Sequence, residues 1–223
     1  MSAAWSFGEE PLDQTRAFAA AVRALTETAL SLEGPSPLLE RLIADIRGTD
    51  AELRAAARVT PAVRVGARAD DPGARLYLDH ATDIGAFNPA FPEYGFREIG
   101  HDRASGSIRF PIVYEGPPGF VHGGFLAVFF DAVIAHHNCR AGVAGRTKSL
   151  EIRYTRPTPL GADLDYEIRR TVTEREVVSA AALYRGSDLL CTAEARNAAG
   201  SPEALPPVGR RGRRAPGHAR RRR

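Results

Sequence analysis

Cysteine is scarce in this chain: among 223 residues only Cys139 and Cys191 occur. Two cysteines without metal-ligand spacing support neither a disulfide framework nor a thiolate metal centre, and they read as reduced, packed thiols. No run of eighteen apolar residues exists, which excludes a membrane-spanning helix. The N-terminus meets Glu9, Glu10 and Asp13 too early for a secretory leader, so a cytoplasmic protein is expected. Lysine is nearly missing as well, with Lys148 alone against 29 arginines, a bias that points to a GC-rich genome before it points to function. Gly-x-Ser-x-Gly, a phosphate loop ending in Gly-Lys-Ser/Thr, and Gly-x-Gly-x-x-Gly after a strand are all lacking. Serine-nucleophile and nucleotide-binding chemistries of those kinds are set aside, and neither a metal nor a bound cofactor is expected.

Acid is absent from the C-terminal segment, where eight arginines follow Leu205 (Arg210, Arg211, Arg213, Arg214 and Arg220 to Arg223). Removing those eight charges turns the formal net charge of +3 into −5, so the body is mildly acidic despite a sequence pI near 9.1. A Pro/Gly/Arg tail of this kind is expected to be a disordered, solvated terminus. Without interleaved aromatics or a known module, nucleic-acid binding is not expected of it.

Apolar spacing predicts an amphipathic helix over residues 12 to 32 through Leu12, Phe18, Val22, Leu25, Ala29 and Leu32. A second is expected over 37 to 47 after the Gly34-Pro35-Ser36-Pro37 break, and a third from Thr49 or Asp50 to before Pro61. This extension lacks a catalytic constellation and is expected to cover a face of the main domain or join an oligomer interface. Loops and short extended pieces are expected from Gly66 to Pro92. Strands follow over 94 to 102 and 105 to 114, turning around Arg103-Ala104-Ser105-Gly106. After an apolar helix, residues 147 to 155 alternate with Leu150, Ile152 and Tyr154 on one face. Leu164, Tyr166 and Ile168 alternate in the next strand, and two more flank Arg185-Gly186-Ser187-Asp188. The order gives an α+β fold, an antiparallel sheet wrapped around one long central helix. The domain boundaries expected are 1–65 for the helical extension, 66–200 for the main domain and 201–223 for the arginine-rich tail.

The most informative stretch is Glu115-Gly116-Pro117-Pro118-Gly119-Phe120-Val121-His122-Gly123-Gly124 and the apolar run after it, which carries a single carboxylate, Asp131. A carboxylate among apolar side chains is costly unless it has a task. Gly123 and Gly124 fall where a helix begins. Free N–H groups and the positive end of the helix dipole there favour a developing oxyanion, and glycine allows close approach. The plainer alternatives stay open: the glycines as a tight entry turn, Asp131 as a structurally satisfied acid, His122 as a helix cap, Thr147 as an ordinary strand residue. His136 and His137 follow Asp131 by five and six positions, which is not the four-residue spacing of a metal pair.

His122-Gly123-Gly124, the acid nine positions on at Asp131, Thr147 opening a strand, and Tyr154-Thr155-Arg156-Pro157-Thr158-Pro159-Leu160 closing it resemble the hotdog-fold thioesterases. The similar branch holds the phenylacetic-acid-type and thioesterase-superfamily enzymes. The resemblance spans roughly residues 85 to 198. It implies an acyl-CoA or acyl-carrier-protein thioester as substrate, hydrolysed to free acid and thiol. It further implies that the Gly123 N–H, helped by Gly124, polarises the thioester carbonyl, that Asp131 activates water or attacks directly, that Thr147 holds the water or the carboxylate, and that His122 positions. Gly119, Gly124, Arg156 and Lys148 are the substrate-binding candidates, and Arg140, Arg146 and Arg153 also flank the cleft in sequence. One departure is Gly116, where some relatives place Asn or Gln.

Asp131 lies eight residues beyond Gly123, roughly 12 Å along a helix axis, so one helix cannot bring both to the same carbonyl. A shared site therefore predicts a homodimer, or a dimer of dimers, with two antiparallel helices. A base must be unprotonated near neutral pH, and the burial expected of Asp131 would make its carboxylate a stronger base. The alternatives from other classes are a non-hydrolytic acyl-CoA-binding or regulatory protein, and a hotdog hydratase or dehydratase.

Overall fold

The computed structural model describes residues 13–56, 64–68, 71–77, 83–141, 143 and 147–198. Leu12, Arg146 and the arginine tail lie outside the described residues. Two helices, α1 (Asp13–Leu30) and α2 (Pro37–Ala56), lead into a hairpin of β1 (Arg64–Arg68) and β2 (Asp71–Tyr77). After a 3₁₀ turn at Ile84–Ala86 come β3 (Tyr94–Ile99) and β4 (Arg103–Ile108), a second 3₁₀ turn at Ile112–Tyr114, and the central helix α3 (Gly123–Arg140). Strands β5 (Thr147–Tyr154), β6 (Leu164–Val172), β7 (Glu176–Arg185) and β8 (Asp188–Ala198) complete an antiparallel sheet ordered β3-β4-β6-β7-β8-β5.

Period-two burial along the strands builds the core. Leu164, Tyr166 and Ile168 of β6, Ala181 and Leu183 of β7, and Cys191, Ala193 and Ala195 of β8 all turn inward. They meet Leu126, Phe129, Phe130, Val133 and Ile134 of α3. Full burial of such side chains stabilises by about 1.5–3 kcal/mol each, which explains why the sheet wraps this helix. Both cysteines are free and buried, and burial pushes each thiol up to about 12.

The coverage of α3 is incomplete. Gly124 and Asp131 are exposed and Ala127, Val128 and Ala135 only half-buried, and at these spacings they share one face. That face lies beside β5, an edge strand of the sheet. Asp131 is therefore exposed in the single chain, not buried as its apolar neighbours suggest.

Three other expectations are corrected. The second and third helices are one, because Gly48 sits in open space and a single glycine costs only about 1 kcal/mol. The hairpin turn falls at residues 100 to 102, with Gly106 inside β4, where its missing β-carbon makes room for the Tyr166 ring and the Gly95 carbonyl. The strand expected to reach 114 stops at Ile108, and the chain tightens into the 3₁₀ turn behind Pro111.

Helix α1 is anchored to the described part of the main domain. Arg23, nearly buried, donates to the Gly85 carbonyl at 2.9 Å and the Asn88 carbonyl at 3.3 Å and pairs with Glu93. No residue of α2 is buried, and Leu38, Ile46 and Leu53 stand exposed on it.

Candidate active site

The entry to α3 is organised by its glycine-rich turn. Gly119 adopts φ +81°, its N–H donates to Glu115 Oε1 at 2.8 Å, and its carbonyl accepts from Leu160 N–H at 3.0 Å. Val121 N–H donates to the Thr158 carbonyl at 2.8 Å and His122 N–H to the Tyr114 carbonyl at 2.9 Å. The turn is thereby stitched to the Arg-Pro-x-Pro-Leu segment on one side and to the second 3₁₀ turn on the other.

His122 caps α3, its Nδ1 accepting from Gly124 N–H at 3.0 Å while its carbonyl accepts from Phe125 N–H at 2.9 Å. An acceptor Nδ1 leaves the hydrogen of the neutral ring on Nε2. The Gly124 amide is thus already used, and the Gly123 N–H, at the first position of the helix, has no intrahelical acceptor. Tyr154, at the end of β5, donates its hydroxyl to the Gly123 carbonyl at 2.9 Å. A β-carbon on Gly123 would stand 3.1 Å from that phenol, so glycine there follows from the tyrosine's approach. An open groove of about 560 Å³ adjoins this point, lined by Phe120, Leu126, Tyr154, Arg156 and Pro157 among others.

The other end of β5 meets the acid. Thr147 Oγ1 donates to Asp131 Oδ1 at 3.0 Å and accepts from Asn197 Nδ2 at 3.0 Å. Behind it, Asn138 Nδ2 donates to Asn197 Oδ1 at 3.5 Å, and Asn138 Oδ1 accepts from Arg170 Nη1 at 3.3 Å and Ser179 Oγ at 3.4 Å. Arg170 also donates to the His137 carbonyl at 3.0 Å. Burial pulls this guanidinium below its ordinary value, opposed by the charge of Asp102, and burial likewise lowers His137.

The candidate residues accordingly form two groups. His122, Gly123, Gly124, Gly119 and Arg156 gather at the start of α3, and Asp131, Thr147 and Lys148 sit two helical turns on, roughly 12 Å away along the axis. Arg156 lines the groove, with its guanidinium 3.2 Å from the Leu189 carbonyl and 3.7 Å from Asp188. Lys148 pairs with Glu176 at 3.1 Å, and Arg153 pairs with Glu151 at 2.9 Å. Tyr154 and the buried polar series behind Thr147 were not singled out as site residues from the sequence. The signal available was a polar residue at an inward place of the alternation: Arg170 after Ile168, Ser179 between Val177 and Ala181, and Asn197 after Ala195. Among the described residues no cluster fit to hold a metal ion occurs, and no helix is long and apolar enough to cross a membrane.

No family model matches the sequence. A crystal structure of a thioesterase superfamily protein is similar at a TM-score of 0.67 and 24% identity, over 88% of this chain and 97% of that one. The same superposition identifies the α+β fold as the hotdog fold. Its coverage exceeds what residues 83–198 supply, 116 of 223, so the alignment reaches into the N-terminal region, beyond the span of the sequence resemblance. Two further solved structures align over about half the chain. A hypothetical thioesterase from Streptococcus pneumoniae with coenzyme A gives a TM-score of 0.46 and 16% identity over 49% of this chain and 90% of that one. The PaaI protein of the E. coli phenylacetic acid degradation operon gives 0.44 and 14% over 47% and 82%.

Proposed function

We propose that this chain hydrolyses an acyl thioester, of coenzyme A or of an acyl carrier protein, in a site shared between two copies. The observation that carries the reading is the Thr147 hydroxyl donating to Asp131 at 3.0 Å, on the same helix as a capped N-terminus whose Gly123 N–H has no intrahelical acceptor. Asp131 takes a proton from water, or attacks the carbonyl itself, with Thr147 holding the carboxylate. The Gly123 amide of the other copy meets the oxygen on which negative charge develops. His122 positions, since its Nδ1 is engaged in the cap.

The face of α3 left uncovered among the described residues, together with the edge strand β5, supplies a surface for the second copy. Antiparallel packing of two α3 helices would place each Asp131 near the partner's glycines and desolvate the acid. The groove beside Phe120, Tyr154 and Arg156 suits an acyl thioester, with Arg156 available to a phosphate.

One observation favours a second reading, a protein that binds the thioester without turning it over. A β-carbon on Gly116 would lie 2.7 Å from His122 Cα, so this turn has no room for the Asn or Gln some relatives place there.

Thiol release from short, medium, long and aromatic acyl-CoA substrates, with wild type beside Asp131→Asn, tests the reading. Turnover by the wild type that falls at least about 100-fold in a folded Asp131→Asn protein is the expected result. Persistent turnover in the variant removes Asp131 from its role. Saturable binding with no turnover on any substrate establishes the second reading.

A further inference from the structure

The buried polar series behind Thr147 has a direction, and a single residue sets it. A guanidinium has donors and no acceptor, so Arg170 obliges Asn138 to present Oδ1 toward it, at 3.3 Å. Asn138 then presents Nδ2 to Asn197, which answers with Oδ1 at 3.5 Å. Asn197 in turn offers its own Nδ2 to Thr147 Oγ1 at 3.0 Å. With that lone pair taken, the threonine proton goes outward to Asp131 at 3.0 Å. Every link donates toward the carboxylate, so each bond polarises the next in the same sense.

Burial shows that the series is built into the core. Arg170 is 5% exposed, Asn138 1% and Asn197 2%. Two of the Arg170 nitrogens, Nε and Nη2, have no hydrogen-bond partner among the described residues. An apolar residue on the inward phase of β6 would have packed here without that desolvation. A guanidinium whose acceptors among the described residues are two uncharged oxygens has little to recommend it for stability alone. Its attested consequence is the orientation of the amides in front of it.

We propose that Arg170, Asn138 and Asn197 are positioning residues that fix the Thr147 hydroxyl as a donor to Asp131 and so hold the carboxylate in one orientation. This rests on the thioesterase reading for its catalytic consequence, though the geometry it asserts does not. Without the series, the hydroxyl is free to rotate and Asp131 loses its fixed partner.

Asn197→Asp is close to isosteric and reverses one link, since a carboxylate at 197 accepts from Asn138 and draws the Thr147 proton inward. A crystal structure of full-length Asn197→Asp is expected to show the hydroxyl turned to residue 197 and the Thr147–Asp131 separation beyond hydrogen-bond range. In turnover, kcat is expected to fall about 10- to 100-fold with KM unchanged. Thr147→Val should fall by a similar factor, Thr147→Ser should keep most of the activity, and the double variant Asn197→Asp/Thr147→Val should be no worse than Thr147→Val alone. A purely structural role would instead give additive losses. Additivity in the double variant, or a Thr147–Asp131 bond that persists in Asn197→Asp, overturns the proposal. Should the wild type release no thiol from any thioester, the functional reading fails, and the geometry in Asn197→Asp alone decides this one.

Discussion

At Gly116 the backbone passes so close to His122 that a β-carbon would meet His122 Cα at 2.7 Å and Cβ at 2.8 Å. A side chain there displaces His122, the residue that caps α3. Restoring the polar residue of some relatives, as Gly116→Asn, is therefore expected to lower thiol release and stability together. Overpacking of this kind costs about 1–3 kcal/mol. Urea denaturation beside the turnover assay checks it, and a gain in turnover at unchanged stability would contradict it. Residue identities made Gly123, Asp131 and Thr147 legible as candidates, but their joining was not. Nothing in the spacing from 131 to 147 states that a hydroxyl reaches a carboxylate, and that contact depends on how β5 crosses α3. Tyr154 escaped for the same reason: its phenol serves Gly123 only because the strand's last residue arrives at the helix's first.

Elements were legible in proportion to how regular their burial is. Strands β5 to β8 followed from alternation, and α3 from an apolar run with a Gly-Gly start. Where one glycine decides, sequence alone misleads: the spacing separates helices at 47 and 49 although Gly48 continues one helix, and it puts Gly106 in a turn although Gly106 lies within a strand, making room for Tyr166. The polar inward places of β6, β7 and β8 were present in the same alternation, and their meaning required the register that sets Arg170 beside Ser179 and Thr147 beside Asn197. The anchoring of α1 gives a prediction at this scale. Arg23→Leu removes two hydrogen bonds to backbone carbonyls and the pairing with Glu93. Most of the effect should come from the buried Gly85 carbonyl, since the Asn88 carbonyl keeps the Phe91 N–H at 3.1 Å, and because the glutamate is 65% exposed its screened ion pair adds little. Arg23→Leu should lose about 1–3 kcal/mol in denaturant unfolding, while Glu93→Gln should lose less than about 1. Equal losses would show that the ion pair, not the carbonyl contacts, holds α1.

For the whole molecule, the central geometric fact is that Gly123 and Asp131 share one helix and are separated by about two turns. Among the described residues the face between them is left uncovered, and β5 beside it is an edge strand. A C2 pairing of two α3 helices would close both and create two equivalent sites, each drawing its glycine from one copy and its acid from the other.

Mixing two inactive proteins tests that account most directly. Gly123→Pro removes the amide hydrogen at the first helical position, and His122 already has the extended backbone a following proline requires; its β-carbon would stand 3.1 Å from the Tyr154 phenol, so the variant is paired with Tyr154→Phe as a control for that crowding. Asp131→Asn removes the carboxylate proposed as base. After subunit exchange, half the dimers are mixed and each mixed dimer holds one intact site of two. The account therefore predicts recovery of about a quarter of wild-type thiol release from two proteins each silent alone. No recovery, with folding and exchange confirmed, would contradict the shared site.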